Sequence, residues 1–122
     1  MNIESRMKGQ HVLIVEDEFF IAMDTQLALE QMGAIIVGPA SNVADALGLI
    51  ASRTVDCAIL DIRLDVDDSY PIADKLMERH IPFLFASSES RGALPERFSG
   101  YVLIDKPLEM RLIVDALLGP PH

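Results

Sequence analysis

The chain has 122 residues, of which 50% are apolar, which suits one domain with a single hydrophobic core. Its formal net charge of −9 disfavours direct binding to nucleic acid, because phosphate backbones are held by surplus Lys and Arg. A single cysteine, Cys57, excludes an internal disulfide, and no apolar run approaches the roughly 20 residues of a membrane span. We therefore expect one cytoplasmic domain with no membrane partner, residues 10–118, between an N-terminal tail (1–9) and a C-terminal tail (119–122).

Short β-rich runs alternate with helical patterns along the chain. Strands are predicted near residues 12–15, 34–38, 56–60, 83–86 and 101–104. Alternation of strands with helices is typical of a parallel sheet that is covered on both faces. The fold class that follows is α/β, as a three-layer, doubly wound, five-stranded parallel sheet.

The first helix, about residues 18–32, carries Phe20, Met23 and Leu27 at helical spacing. The phenylalanine and methionine side chains of the chain are interpreted as core packing. The second helix follows Ser41, which is its predicted N-cap.

A third helix is predicted to begin at Ser69, because a capping serine is followed there shortly by a proline. Between the fourth and fifth strands, residues 90–100 include two glycines and a proline. These residues leave room for little more than a turn or two, so the fourth helix should be short or irregular. The last helix is predicted at about 109–118.

Acidic residues and one lysine lie where the apolar runs stop. Glu16 and Asp17 follow the first strand, Asp61 follows the third, and Lys106 follows the fifth. Because the carboxyl ends of parallel strands converge on the crevice where ligands bind, these side chains should meet. Carboxylates crowded into one crevice repel one another unless a cation neutralises them, and such oxygen ligands suit Mg²⁺.

This arrangement permits phosphoryl transfer. A carboxylate near a bound Mg²⁺ can attack a phosphoryl group in line, and Asp61 is the predicted nucleophile. Lys106 would pair with the aspartate or its phosphate as a point charge. Ser87, at the end of the fourth strand, could donate a hydroxyl to a phosphoryl oxygen, and Ser88 is the alternative donor.

Four motifs fall in a fixed order along the chain: Val15-Glu16-Asp17-Glu18, Leu60-Asp61, Ala86-Ser87 and Lys106-Pro107. In order and spacing they resemble the receiver domain of two-component response regulators. The stretch from Arg63 to Ala73 resembles the receivers of small single-domain bacterial regulators in particular. The resemblance covers about residues 10–118 and implies a flavodoxin-like fold with strand order 2-1-3-4-5. It also implies phosphorylation on aspartate by a sensor histidine kinase or a histidine phosphotransfer protein of a phosphorelay.

The resemblance assigns a role to each matching residue. Asp61 corresponds to the phosphoacceptor, Ser87 to the switch hydroxyl and Lys106 to the phosphate-pairing lysine. The bond before Pro107 would be cis, a form that proline makes accessible.

The family's metal site is implied in the same way. Asp17 and Asp61 correspond to Mg²⁺ ligands, Glu16 to a ligand acting through water, and Arg63 to the residue whose backbone carbonyl binds the metal. The Arg63 and Glu89 side chains lie two residues after the acceptor and the switch hydroxyl, where receivers tune dephosphorylation. We hypothesise that these two side chains pair across the mouth of the site and slow the entry of water.

The sequence departs from the family's pattern in the fifth strand. Receivers commonly carry an aromatic residue three positions before the lysine, and its inward rotation reports phosphorylation. Here that position is Leu103, and Tyr101 lies two residues earlier on the same strand face. The resemblance therefore leaves open whether an aromatic switch operates.

Other functions fit the residues less well. A dehalogenase-like phosphatase would need an aspartate where Arg63 stands, and a flavin or nucleotide binder would need a glycine-rich loop after the first strand. We expect a switch that controls an unknown downstream protein and catalyses only its own phosphorylation and slow dephosphorylation. The alternative is a degenerate receiver that binds partners without phosphorylation, and a homodimer is left open.

Overall fold

The computed structural model describes residues 6–64, 68–87, 95–98, 101, 103–106 and 109–118. In chain order the elements are β1 (His11–Val15), α1 (Phe19–Gln31), β2 (Ile35–Ala40), α2 (Val43–Ser52), β3 (Cys57–Asp61), α3 (Tyr70–Glu78), β4 (Phe83–Ser87), a 3₁₀ turn (Glu96–Phe98), β5 (Leu103–Asp105) and α4 (Met110–Leu118). No helix in these ranges is both long enough and apolar enough to span a bilayer.

The five strands form one parallel sheet in the order β2-β1-β3-β4-β5, as the sequence predicts. Alternate residues of β1 enter opposite layers: Leu13 and Val15 pack beneath α2 and α3, whereas Val12 and Ile14 pack beneath α1 and α4. Both faces of the sheet are therefore covered, and every residue of the central strands β1, β3 and β4 is buried except the half-buried His11.

The prediction that the apolar residues of α1 pack in the core is wrong for one of its faces. Phe20 is 78% exposed and Leu27 52%, whereas Ala22, Thr25 and Leu29 are buried against the sheet. The two stripes have the same i, i+3, i+7 spacing, so periodicity alone does not choose between them. The stripe with the smaller side chains at its start faces the sheet. Four side chains make up the exposed α1 stripe: Phe19, Phe20, Met23 and Leu27.

The N-cap of α2 is Asn42 and not the predicted Ser41. Asn42 has extended backbone angles, and its side-chain oxygen accepts the backbone N–H of Asp45 at 2.8 Å. Helix α2 begins at Val43, so the residue directly before it takes the capping position. Ser69 does precede α3 as predicted, but its side chain makes no capping hydrogen bond.

The region between β4 and β5 is described in part. Residues 95–98 hold only the 3₁₀ turn, which agrees with a short or irregular fourth helix. Tyr101 donates its N–H to the carbonyl of Phe98 at 3.0 Å and thus belongs to a turn. Strand β5 consequently begins at Leu103, two residues later than expected, and ends at Asp105. Strand β2 also runs further than expected, to Ala40.

Residues before β1 are attached to the domain. Met7 is buried in the layer beneath α1 and α4, and Arg6 pairs with Asp115 of α4 at 2.7 Å. Gly33, which ends α1 with a φ of +88°, lies directly against this segment: a Cβ there would stand 2.9 Å from Cα of Lys8. A side chain at position 33 would therefore force the two segments apart.

Substitutions on the two faces of α1 should have opposite consequences. Leu29→Ala removes a fully buried side chain and should lower the free energy of unfolding by about 2–5 kcal/mol. Phe20→Ser should change it by less than about 0.5 kcal/mol, because the ring is exposed. Urea unfolding of both variants tests this, and an equal loss in Phe20→Ser would place that ring in the core.

The cap assignment can be tested with neighbouring residues. Asn42→Ala should lower the free energy of unfolding by about 1 kcal/mol, because it leaves an N–H of the first turn of α2 without its partner. Ser41→Ala is the matched control and should have almost no effect. The reverse order of the two effects, measured by thermal or urea unfolding, would contradict the assignment.

Candidate functional site

The carboxyl ends of β1, β3, β4 and β5 bring the predicted residues to one edge of the sheet. In the strand register Val15 lies beside Leu60, and Asp61 lies beside Ala86. Ser87 in turn lies beside Asp105. Parallel pairing therefore places the residues that follow these strand ends in one crevice, which is what the sequence pattern predicts.

Three carboxylates meet in this crevice. Glu16, Asp17 and Asp61 each offer one oxygen, and the three oxygens lie within 4.8 Å of one another. Glu16 and Asp61 are almost completely buried, so water screens their repulsion poorly. Hard oxygen ligands that leave positions free for water are what Mg²⁺ prefers. The donor set therefore fits the ion that the family implies.

Lys106 supplies the positive charge of the site. Its Nζ donates a hydrogen bond to a carboxylate oxygen of Glu16 and lies 3.4 Å from Oδ2 of Asp61. The backbone N–H of Lys106 donates to the carbonyl of Ser87 at 2.7 Å, which anchors the lysine to the end of β4. Burial favours the neutral amine, but the hydrogen bond to Glu16 and the two negative charges outweigh it and raise the pKa of Lys106.

The site perturbs Asp61 strongly. Burial is the largest cause, the hydrogen bond and negative charge of Glu16 act in the same direction, and Lys106 opposes them. The net result raises the pKa of Asp61 from 3.8 to about 7. Without a bound cation, this carboxyl is therefore held in an environment that disfavours its charge.

The remaining predicted residues are less completely described. Ser87 is buried at the last position of β4, at the edge of the sheet that carries the carboxylates. Arg63 is exposed, and its backbone forms an antiparallel bridge with Asp68. Glu89, Ser88 and Pro107 lie outside the described residues, so the Arg63–Glu89 pairing and the cis bond stay predictions.

Tyr101, the aromatic residue considered for a switch, packs at the opposite end of β4 from Ser87, the predicted switch hydroxyl. Tyr101 stacks on Phe83, the first residue of β4, with ring centroids 4.3 Å apart, whereas Ser87 is the last residue of that strand. Leu103 packs half-buried in the same layer. The rings of Tyr70 and Phe98 stack on each other with centroids 5.4 Å apart, a contact that nothing in their spacing along the sequence indicates.

Residues 12–117 match the response regulator receiver domain family. The chain belongs to this family. The predicted family and the predicted flavodoxin-like topology are therefore both confirmed, and the chain is a receiver domain of the two-component type.

Several proteins are similar to this chain in structure or in sequence. The solution structure of SdrG from Sphingomonas melonis is 37% identical, with a TM-score of 0.79 over 90% of this chain and 94% of that one. The response regulator PhyR from Brucella abortus is 27% identical, with a TM-score of 0.73 over 95% of this chain and 49% of that one. The transcriptional regulatory protein PdtaR from Mycobacterium tuberculosis is 32% identical over 72% of this chain, which spans 43% of PdtaR. The chain thus spans less than half of the curated relative.

Asp61 should make the unfolding free energy depend on pH. Its pKa is higher in the folded protein than in the unfolded chain, so the folded state binds this proton more tightly and stability falls as pH rises from about 4 to about 7. In EDTA at pH 8, Asp61→Asn should be more stable than wild type by about 1–3 kcal/mol, with the difference vanishing near pH 4. Urea unfolding at both pH values measures this, with the exposed Asp24→Asn as control. A difference independent of pH would contradict the expectation.

Proposed function

We propose that this receiver domain accepts a phosphoryl group on Asp61 from a phosphohistidine of a sensor histidine kinase or a histidine phosphotransfer protein. The transfer would use Mg²⁺ held by Glu16, Asp17, Asp61 and the backbone carbonyl of Arg63. The phosphorylated domain would then change conformation and control a downstream protein in the cytoplasm. The observation that carries this proposal is the buried carboxylate cluster with Lys106 beside both Glu16 and Asp61.

The chemistry follows from the positions of these side chains. A carboxylate oxygen of Asp61 attacks phosphorus in line, the P–N bond of the donor breaks, and its electron pair returns to the donor imidazole. Bound Mg²⁺ would offset the repulsion between the two anions. Lys106 already lies 3.4 Å from Asp61, so its ammonium can pair with the phosphoryl oxygens that arrive there. Ser87, at the neighbouring strand end, would donate its hydroxyl to the same group.

A relative supports this use of the site. One solution structure describes a BeF₃-activated conformation of SdrG, at 36% identity and a TM-score of 0.74 over 89% of this chain. BeF₃⁻ is a tetrahedral stand-in for a phosphoryl group on a carboxylate. The shared fold, together with the acidic cluster of this chain, favours the same response here.

The exposed α1 stripe supports a protein as the phosphoryl donor. It begins at Phe19, two residues after Asp17, and its rings at 19 and 20 contact each other edge to face with centroids 5.4 Å apart. Exposed apolar patches on monomeric domains commonly mark interaction surfaces. A donor that reaches Asp61 must cover the mouth of the crevice, and this stripe begins only two residues after Asp17 of the carboxylate cluster.

Intact mass after incubation with acetyl phosphate tests the acceptor directly. Wild type should gain one phosphoryl group in Mg²⁺ and none in EDTA, and Asp61→Asn should gain none. Lys106→Met should keep the acceptor Asp61 but react about tenfold more slowly or worse, because the charge that stabilises the transferring group is lost. Circular dichroism of each variant verifies folding. No gain in wild type, or an undiminished gain in Asp61→Asn, would overturn the proposal and favour a phosphorylation-independent interaction module.

A further inference from the structure

Five aromatic rings form a continuous cluster along one face of β4. Tyr70, the first residue of α3, stacks on Phe98 of the 3₁₀ turn at 5.4 Å and meets Phe85 of β4 edge to face at 6.0 Å. Phe98 also contacts Phe83, Phe85 and Tyr101. Tyr70 and Phe98 thus connect β4 with the segment that follows it.

Tyr70 is tied through the backbone to Asp61. The N–H of Ile62, the residue after Asp61, donates to the carbonyl of Ala86 at 3.2 Å. The carbonyl of Ile62 accepts the N–H of Ser69 at 2.8 Å, directly before Tyr70. Ile62 therefore bonds to the end of β4 through its N–H and to the start of α3 through its carbonyl. A shift of the Asp61 backbone would move both.

The start of α3 is not locked by its own cap. Ser69 is fully buried, its hydroxyl makes no capping bond to α3, and this hydroxyl lacks a hydrogen-bond partner in the described part of the chain. A buried hydroxyl without a partner is unfavourable and would gain from a small rearrangement that provides one. A second conformation at this end of α3, in which the Ser69 hydroxyl finds a partner, would therefore be favoured.

An ion pair joins the 3₁₀ turn to α3. The guanidinium of Arg97 makes two hydrogen bonds to Asp74, at 2.9 and 3.1 Å, and lies 4.5 Å above the ring of Phe98. A movement of Tyr70 that displaces Phe98 would therefore also reach this ion pair. Tyr70 is the ring that contacts both Phe85 of β4 and Phe98 of the turn while following directly on Ser69.

We propose that Tyr70 is a positioning residue that couples the phosphorylation state of Asp61 to the 3₁₀ turn through its stack on Phe98. This inference rests on the proposed phosphorylation of Asp61. An aromatic residue at the start of α3 would then report phosphorylation, in place of the aromatic residue that receivers commonly carry at the position of Leu103 in β5. The surface that responds to phosphorylation is then the one formed by Asp74 and Arg97.

The composition of the chain allows a direct measurement. The protein has two tyrosines and no tryptophan, so labelling with 3-fluorotyrosine gives two ¹⁹F resonances, which Tyr70→Phe and Tyr101→Phe assign. The same spectrum shows bound BeF₃⁻ and so reports occupancy of the site independently. On adding BeF₃⁻ with Mg²⁺, the Tyr70 resonance should move by about twice as much as that of Tyr101 or more. A stationary Tyr70 resonance with BeF₃⁻ bound would overturn the coupling alone, whereas absence of bound BeF₃⁻ would overturn the proposed function as well.

Hydrogen exchange at the turn tests the route. The N–H of Phe98 donates to the carbonyl of Pro95 at 2.8 Å, and BeF₃⁻ should change its exchange rate by about threefold or more in wild type. The change should persist in Tyr101→Leu and be lost in Tyr70→Leu, with BeF₃⁻ still bound in both. Since both variants remove a half-buried ring from the same cluster, a general packing defect would affect them alike. Persistence of the change in Tyr70→Leu would overturn the proposal. If Tyr70→Leu does not fold, the ¹⁹F shift of Tyr70 in the otherwise native sequence is the deciding test.

Discussion

The placement of one ammonium group between two buried carboxylates is the interaction on which the site depends. Lys106 pairs with Glu16 and approaches Asp61, and all three side chains are largely removed from water. Removal of one partner from such a group leaves a buried charge without compensation, which is far more unfavourable than loss of an exposed ion pair. The lysine also bonds through its backbone to Ser87, so the same residue joins the chemistry of the site to the pairing of β4 with β5.

Lys106 neutralises only part of the negative charge in the crevice, and the remaining charge favours a bound cation. Glu16, Asp17 and Asp61 bring three carboxylates to a crevice in which Lys106 is the cation found among the described side chains. The raised pKa of Asp61 has the same origin, because burial and the negative charge of Glu16 favour its protonated form. A divalent cation would correct it, and would do so at the oxygen atoms where an incoming phosphoryl group also needs neutralisation. The repulsion between the carboxylates therefore favours binding of the cation that the proposed phosphoryl transfer requires.

The sequence predicts the site better than it predicts the surfaces around it. Strand ends are marked by an abrupt change from apolar to charged residues, and parallel pairing then leaves little freedom in where Asp17, Asp61 and Lys106 can lie. The rotation of α1 was not predictable in this way, because the stripes that begin at Phe20 and Ala22 satisfy the same periodicity. The sequence predicts the N-cap of α2 one residue too early, because serine and asparagine are both favoured at N-caps and Ser41 directly precedes Asn42.

The aromatic cluster shows a different limit of sequence reasoning. Tyr70 precedes β4 in the chain and Phe98 follows it, and they meet only because α3 and the 3₁₀ turn pack on the same side of β4. A single aromatic residue in β5 could report on Ser87 by changing its rotamer, but Leu103 lacks a ring for that purpose. A cluster that includes a strand residue, a helix start and a turn can respond to a backbone shift instead of a rotamer change. Because interdigitated rings repack between discrete arrangements, a small displacement next to Asp61 can become a defined change at Asp74 and Arg97.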